Sequence, residues 1–266
     1  FPSRHIYVVG VTGTKGKATV VELIHSILEE NGAKVASLSS LRFRIGGQEE
    51  SNNLKMTMPG RFFAQSFLHQ ARRKKCSYAV IEVTSEGIKQ FRHRFINFDA
   101  AVMTNIHPEH IESHGSFENY LRAKLDLFWR LPKNGLAVIN RDDPNAVRFC
   151  AATAAQKVFY GKGEIETRDR KEMIRDITYS DGVSFEVASH TVNSDLTGGF
   201  NFYNICAALA FGLARHISVE RLSRGIAKIS EIPGRVEYIK KEPFAVVVDY
   251  AHTPDSLRKV YETLRS

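Results

Sequence analysis

Hydrophobic residues in the first 160 positions fall into two kinds of run. Short continuous runs predict buried strands over residues 6–10, 34–38, 78–83, 99–104, 136–140 and 157–160. Longer segments with apolar residues every three or four positions predict helices over residues 16–30, 61–75 and 116–131. Strands that alternate with helices are typical of parallel sheets covered on both faces. We therefore expect an α/β fold with a doubly wound, mostly parallel sheet.

Local residues predict how some of these helices begin and which side they bury. Ser116 is expected to cap the helix that follows it. Asp142 or Asp143 is expected to cap the next helix, with Pro144 in its first turn. One side of the helix over 61–75 is predicted to be apolar through Phe62, Phe63, Phe67 and Leu68.

The pattern changes character over about residues 161–197. Two runs of alternating residues, 174–179 and 183–187, flank a Ser-Asp-Gly turn, which predicts a hairpin in a small antiparallel β insert. The remaining pattern predicts helices over 201–215, 219–229 and 254–264 and a strand over 244–249.

Composition narrows the class of protein. Of 266 residues, 43% are hydrophobic and 25% charged, which argues against a mostly disordered chain. No apolar run approaches the roughly 20 residues that span a bilayer. The start lacks the apolar segment of a signal peptide, and the odd, scattered cysteines favour a reducing cytoplasm. The net charge of +8 leaves nucleic-acid binding open. The densest basic run, 72–75, is predicted to lie at the solvated end of a helix, which argues against a nucleic-acid site there. A basic surface also suits anionic small molecules such as nucleotides.

The strongest motif joins the first strand to the first helix. Glycines at 10, 13 and 16 surround a Thr-Lys pair, and Lys17 follows the last of them. Glycines let a backbone wrap an anion, helix-start N–H groups point at phosphate oxygens, and a lysine supplies positive charge. The segment therefore predicts a phosphate-binding loop. Ala18 stands where such loops usually carry a magnesium-binding hydroxyl, so Thr19 is the candidate substitute.

Further polar residues follow predicted strands. Glu82 ends a strand, where an α/β site needs a metal ligand. His107, His110 and His114 follow another, and their spacing leaves open a zinc site, a single magnesium ligand or ordinary loop histidines. Lys124 falls on the apolar side of a helix, which is unusual unless it is paired or modified.

Residues near the end of the chain complete the candidate site. Asn201 and Asn204 are three positions apart on a helix, so both amides can face one ligand such as a purine edge, although helix capping is an alternative. Arg235 is a candidate for a phosphate contact and Asp249 for a ribose hydroxyl.

Taken together, these motifs resemble the Mur ligase family, and most closely its MurE-type members, the UDP-N-acetylmuramoyl-dipeptide ligases. The resemblance runs in order along essentially the whole chain. It is carried by residues 12–19, 56–59, 81–85, 104–110, 114–115, 123–124, 140–145, 200–204, 233–237 and 249–255.

The resemblance implies an ATP-dependent, ADP-forming amide ligase with magnesium as cofactor. A substrate carboxylate becomes an acyl phosphate, which an amino acid amine then attacks. It implies catalytic roles for Lys17, Lys124 and His110, with Lys124 carbamylated. The implied ATP-binding residues are Gly13, Thr14, Lys15, Gly16, Lys17, Ala18, Thr19, Asn201, Asn204, Arg235 and Asp249. The implied metal ligands are Thr19, Glu82 and His110, and the implied muramoyl-peptide contacts are Thr57, Thr84, Gln90 and Arg92.

The chain departs from the family pattern at four motif positions. Lys15 replaces an asparagine, Ala18 a hydroxyl residue, Met58 a threonine and Glu86 a histidine. By resemblance, residues 1–240 form the central ATP-binding domain and 241–266 begin a C-terminal ligase domain. Three alternatives remain open: another ligase of the superfamily, of the folylpolyglutamate or cyanophycin synthetase type; a non-catalytic nucleotide-binding module; and a nucleic-acid binder, which only the net charge supports. We expect small-molecule substrates as partners, no nucleic acid and no membrane span.

Overall fold

The computed structural model describes residues 1–54, 56–109, 111–180 and 182–265. Its strands are Tyr7–Thr12 (β1), Val35–Leu38 (β2), Arg42–Ile45 (β3), Gln48–Ser51 (β4), Tyr78–Glu82 (β5), Ala100–Met103 (β6), Leu136–Asn140 (β7), Gln156–Tyr160 (β8), Glu164–Glu166 (β9), Lys171–Thr178 (β10), Val183–Val187 (β11), His190–Ser194 (β12), Glu237–Lys240 (β13) and Val246–Val248 (β14). The α-helices are Lys17–Glu30 (α1), Arg61–Arg73 (α2), Ser85–Lys89 (α3), Ile111–His114 (α4), Phe117–Trp129 (α5), Ala146–Ala151 (α6), Gly199–Ala214 (α7), Val219–Ala227 (α8) and Pro254–Arg265 (α9).

One sheet organises the first 194 residues. Its strand order is β12-β11-β10-β9-β8-β7-β6-β1-β5-β2-β3-β4. The six strands from β8 to β2 pair in parallel, and both flanks are antiparallel. The chain moves from β5 on one side of β1 to β6 on the other, so the order reverses at β1. Ligands of such sheets bind at the carboxyl end of the strands beside this point.

Two apolar layers cover the sheet. Helices α1, α7 and α8 pack on one face, around the side chains of Val9 and Val11 from β1. Helices α2, α5 and α6 pack on the other face, around Val8 of the same strand. Because neighbouring residues of β1 enter opposite layers, the strand is buried on both faces, as its continuous apolar run predicts. No helix in the described ranges is long and apolar enough to cross a membrane.

The predicted doubly wound sheet is confirmed, as is the hairpin, which β10 and β11 form. Four strands of the main sheet, β3, β4, β9 and β12, were not predicted. Strand β9 pairs with β10 and β8 and so joins the hairpin to the parallel strands, while β12 pairs with β11 at the outer edge. Strand β13, also unpredicted, pairs with β14 in a separate two-stranded sheet.

Two local predictions are wrong. Helix α6 begins after Asn145, and neither aspartate caps it. Asp143 instead accepts from Ile106 N at 2.7 Å and from Asn145 N at 2.8 Å. Its carboxylate therefore connects the segment after β6 to the segment after β7 and is not available to cap α6. In α2, Phe62 is 91% exposed while Phe67 is buried, so the buried side of that helix is narrower than predicted.

Candidate functional site

The loop between β1 and α1 depends on two glycines. Gly13 and Gly16 have φ values of +152° and +81°. A Cβ at Gly13 would overlap Thr104 Oγ1, and one at Gly16 would overlap the side chain of Asn204. The first hydrogen bond of α1 runs from Val20 N to Gly16 O at 2.9 Å. The N–H groups of residues 17–19 therefore point out of the helix end, where they can bind an anion.

The segment after β6 holds the loop in shape. Thr14 N donates to Asn105 O at 2.7 Å, and Lys15 N donates to the Asn105 side-chain oxygen at 2.9 Å. Thr104 Oγ1 donates to Lys15 O at 2.6 Å. The backbone of residues 14 and 15 is thereby fixed before any ligand binds.

Two lysines close on this loop from different elements. Lys17 Nζ donates to Thr14 O at 2.9 Å, and Lys124 Nζ, on α5, donates to Gly13 O at 2.7 Å. Lys124 is 2% exposed, so the prediction of an inward-facing lysine is confirmed. Burial lowers the pKa of Lys17, and it lowers that of Lys124 well below its usual range, with Lys17 adding repulsion. The two amines therefore meet at the loop, one from α1 and one from α5, and burial favours the neutral form of each.

Tyr120 completes this arrangement and was not predicted. Its ring lies 4.6 Å from Lys124 Nζ, and its hydroxyl is 2.7 Å from Thr14 Oγ1. Burial raises the pKa of the phenol, so it stays protonated. Its position four residues before Lys124 on one helix was the available signal, because such residues share a face.

Two of the three candidate metal ligands, Glu82 and Thr19, lie around the same loop. Glu82 is buried at the end of β5, where its Oε2 accepts from Ser40 N at 2.8 Å. Its charge raises the pKa of Lys17 against the effect of burial, so the two groups interact. Thr19 is buried in the first turn of α1, and Ala18 has no side-chain oxygen that could bind a metal ion. The prediction for His110 falls outside the described residues.

The other two histidines have different surroundings. His107 donates its backbone N–H to Thr14 Oγ1 at 2.9 Å, so it supports the loop through its main chain. His114 is buried, with Nε2 3.1 Å from a carboxylate oxygen of Glu86. Within the described ranges, no three His, Cys, Asp or Glu side chains converge, which argues against the zinc site that the histidine spacing left open.

A cleft of about 630 Å³ lies next to the phosphate loop. Asn105 and His107, which hydrogen-bond to the loop, line it together with Asp142 and Tyr203. The Tyr203 hydroxyl is 3.1 Å from Asp142 Oδ2, a pair that sequence reasoning missed. The cleft is large enough for a nucleoside, which could extend from phosphates held at the loop.

The two asparagines at the start of α7 are close together but already hydrogen-bonded. Asn204 Nδ2 donates to Asn201 Oδ1 at 2.9 Å, and Asn201 Nδ2 donates to Thr197 O at 2.7 Å. Both side chains are buried, and Asn204 lies against Gly16. This chain of amides links the loop to the segment that borders the cleft.

The C-terminal candidates make structural contacts. The Arg235 guanidinium lies 4.7 Å from the Tyr250 ring centroid, and its charge lowers the pKa of Lys17. Asp249 accepts from Val236 N at 2.8 Å and from Ala251 N at 2.6 Å, so both of its carboxylate oxygens hold backbone.

The four residues matched to peptide binding are brought together through β5, α3 and their flanking segments. Arg92 Nη1 donates to Met58 O at 2.6 Å, and its Nη2 donates to Gln90 Oε1. Thr84 caps α3 by accepting from Gly87 N at 3.0 Å. Thr57 precedes Met58 in the chain. Thr84, Gln90 and Arg92 follow Glu82 closely in the chain. Val83, next to Glu82, donates its N–H to Val11 O of β1, so this segment begins near the phosphate loop.

A central parallel strand that leads through a glycine loop and a lysine into a helix defines an α/β protein with a phosphate-binding loop. A family model narrows the class: residues 11–212 match the Mur ligase middle domain. The chain belongs to the Mur ligase family.

Individual relatives agree with this family. The UDP-N-acetylmuramoyl-L-alanyl-D-glutamate–2,6-diaminopimelate ligase of Syntrophomonas wolfei is 36% identical over 99% of this chain and 54% of its own length. A solved structure of a ligase with that name has a TM-score of 0.81 and 29% identity, over 98% of this chain and 54% of its own. An FPGS–AMPPCP–folate complex, 19% identical with a TM-score of 0.73 over 99% and 72% of the two chains, shares the fold. The chain spans about half the length of the curated relatives it matches.

Proposed function

We propose that this chain is the ATP-binding part of an ATP-dependent, ADP-forming amide ligase of the MurE type. The observation that carries the proposal is the convergence of Lys17 and Lys124 on a glycine loop that is already held in shape. Fixed N–H groups and the ammonium group of Lys17 stabilise the charge that accumulates when two anions, a carboxylate and a phosphate, react. The 36% identity to a ligase of this type supports the assignment.

ATP would bind across the loop and the adjoining cleft. Residues 13–19 would surround the phosphates, and the base would enter the cleft, where Asn201 and Asn204 would reach it by exchanging their bonds to Thr197 and to each other. Arg235, whose charge acts on Lys17, would add a cation near the phosphates. Asp249 would reach a ribose hydroxyl only by exchanging one of its two backbone partners.

Magnesium would bind between the loop and β5. A buried carboxylate from Glu82, a hydroxyl from Thr19 and an imidazole from His110 form a donor set that suits this cation, with its remaining positions taken by water and phosphate. When bound, the ion would offset negative charge on the phosphates. Because Ala18 lacks the usual hydroxyl, Glu82 would make a larger contribution to binding the ion.

Lys124 is suited to carbamylation. Carbon dioxide reacts with a neutral amine: a nitrogen–carbon bond forms and a proton leaves. Burial lowers the pKa of Lys124 and thus increases the neutral fraction. The product is anionic and would be attracted by Lys17.

The acceptor would be a muramoyl peptide bound by Thr57, Thr84, Gln90 and Arg92. Its carboxylate would attack the γ-phosphate, releasing ADP and forming an acyl phosphate. An amino acid amine would then attack the acyl carbon, forming the amide and releasing phosphate. Arg92, half-buried beside Gln90, supplies a fixed cation for an anionic peptide.

We also propose that residues 1–240 form the ATP-binding domain and that 241–266 belong to a following ligase domain. Apolar side chains of β13, β14 and α9, including Ile239, Val248 and Tyr261, are exposed, as expected for part of a larger core. The free thiols of Cys76, Cys150 and Cys206 suit a cytoplasmic setting.

Calorimetric titration with ATP and magnesium tests the proposal. Lys17→Ala should weaken ATP binding by about tenfold or more, because a charge-assisted contact to phosphate is lost. Lys133→Ala, which removes an exposed lysine, should leave the affinity unchanged. Equal affinities for wild type and Lys17→Ala would contradict the proposed loop. ATP binding without ADP formation in the presence of muramoyl dipeptide and amino acid would favour the non-catalytic module.

A further inference from the structure

A carboxylate lies among the cations around the phosphate loop. Glu109, in the segment after β6, pairs with Lys15 through a distance of 2.9 Å between Nζ and Oε1. Its charge also acts on Lys17 and Lys124, whose pKa values it raises against the larger effect of burial. An anion that approaches the loop therefore meets a negative charge beside the lysines that attract it.

The same carboxylate oxygen has a second donor. Thr253, just before α9, donates from Oγ1 to Glu109 Oε1 at 3.2 Å. The side chain of Glu109 is 11% exposed, whereas that of Lys15 is 32% exposed. Glu109 is thus the more firmly held partner, and it keeps a hydrogen bond when Lys15 leaves.

Only the side chain of Lys15 has room to change partner. Its backbone N–H is held by Asn105 and its carbonyl by Thr104. The flexible four-carbon stem can turn the ammonium group from Glu109 towards the loop while the backbone stays in place. The exchange requires no rearrangement of the loop.

We propose that Glu109 is a specificity-determining residue of the anion site. It holds Lys15 in an internal ion pair that a bound polyphosphate must break, and the cost of breaking this pair narrows the difference in affinity between ligands of high and of low negative charge. The inference rests on the proposed function, because it takes the loop to be the phosphate site of a nucleotide. A triphosphate offers Lys15 a stronger partner than the carboxylate does, and a ligand with fewer charges gains less from the exchange.

The test is a calorimetric double-mutant cycle with wild type, Glu109→Gln, Lys15→Asn and the double variant, titrated with ATP, ADP and magnesium-free tripolyphosphate. Glu109→Gln should bind ATP and tripolyphosphate about three- to tenfold more tightly and raise the ratio of ATP to ADP affinity, because ADP gains less from the freed Lys15. In the Lys15→Asn background the same change should have a smaller effect, because the ion pair is already absent.

Glu112→Gln is the matched control, because it removes one exposed carboxylate from α4, close by in the chain. Its affinity for tripolyphosphate should stay within about twofold of wild type. If wild type binds ATP and Glu109→Gln binds no more tightly, the inference fails and the proposed function stands. If neither protein binds ATP or tripolyphosphate, both fail. Equal effects of Glu109→Gln with and without Lys15 would also overturn the inference.

Discussion

At the scale of single residues, the site depends on positions where no side chain fits. Gly16 combines a φ of +81° with a backbone packed against Asn204. Gly47, in the turn between β3 and β4, has nearly the same φ, +87°, but open space where a Cβ would lie. Gly47 is therefore required only by its left-handed backbone, whereas Gly16 is required both by its left-handed backbone and by the lack of space for a Cβ.

We expect Gly47→Ala to lower the free energy of unfolding by about 1 kcal/mol, the cost of placing a Cβ at positive φ. Gly16→Ala should lower it by about 2 kcal/mol or more, because crowding is added to the same strain. Urea denaturation of both variants measures the difference. ATP titration should show weaker binding for Gly16→Ala only. Equal losses of stability would mean that Asn204 moves aside without cost.

Residue patterns predicted part of this site. The phosphate loop and Lys124 were visible because both break a local rule: glycines gather at one turn, and a lysine interrupts an apolar face. Tyr120 breaks no rule, since an aromatic residue on an apolar face is ordinary core. Its hydroxyl contact with Thr14 depends on how α5 crosses the loop, and the Lys15–Glu109 pair depends on how β6 lies beside β1. Neither arrangement is encoded by local spacing.

At the scale of elements, helix starts differ in what holds them. Helix α1 has a glycine cap and no side-chain cap, so its N–H groups remain available for an anion. Helix α5, which carries Tyr120 and Lys124, begins with Ser116, whose hydroxyl accepts from Asn119 N at 3.1 Å. The N-terminus of α1 is therefore free to bind an anion, whereas the N-terminus of α5 is already capped by Ser116.

Removal of the α5 cap should lower stability without abolishing the site. Ser116→Ala is expected to reduce the free energy of unfolding by about 1 kcal/mol, because Asn119 N loses its partner. Ser66→Ala, on the exposed side of α2, should change stability by less than about 0.5 kcal/mol. Urea midpoints of the two variants provide the comparison. A Ser116→Ala midpoint equal to wild type would show that water satisfies the helix end equally well.

Apolar runs predicted the elements of the parallel core because those strands are buried on both faces. Strands β3 and β4 were missed because they lie at an edge and are mostly polar: β4 reads Gln-Glu-Glu-Ser and is exposed throughout. Helix α6 was given the wrong start because Asp143 is a good cap by residue type but is bound to Ile106 N across the fold. Tertiary contacts decided these cases, and a single sequence does not display them.

At the scale of the whole molecule, a buried ionic cluster attaches the antiparallel edge to the core. Glu22 on α1 is fully buried, and its Oε2 accepts from Arg42 and Arg44 of β3. Burial raises the pKa of Glu22, and the two guanidinium groups oppose that change. One turn further along α1, His25 is also buried, with Nε2 3.2 Å from a carboxylate oxygen of Glu29.

His25 should make global stability depend on pH. Burial, with Arg44 and Arg42 nearby, lowers the pKa of His25 from 6.5 to about 3. Below pH 6.5 the unfolded chain binds a proton that the folded chain does not, so stability is lost as the pH falls from 6.5 towards 3. At pH 5 this loss amounts to about 2 kcal/mol.

Urea denaturation at pH 7 and pH 5 measures this loss. Between the two pH values, His25→Gln should lose about 2 kcal/mol less stability than wild type, whatever its stability at pH 7, because the unfolded variant has no imidazole to protonate. His69→Gln, at an exposed position of α2, should lose as much as wild type. If His25→Gln and wild type lost the same amount, His25 would be protonated in the folded protein, with Glu29 as the carboxylate that pairs with it.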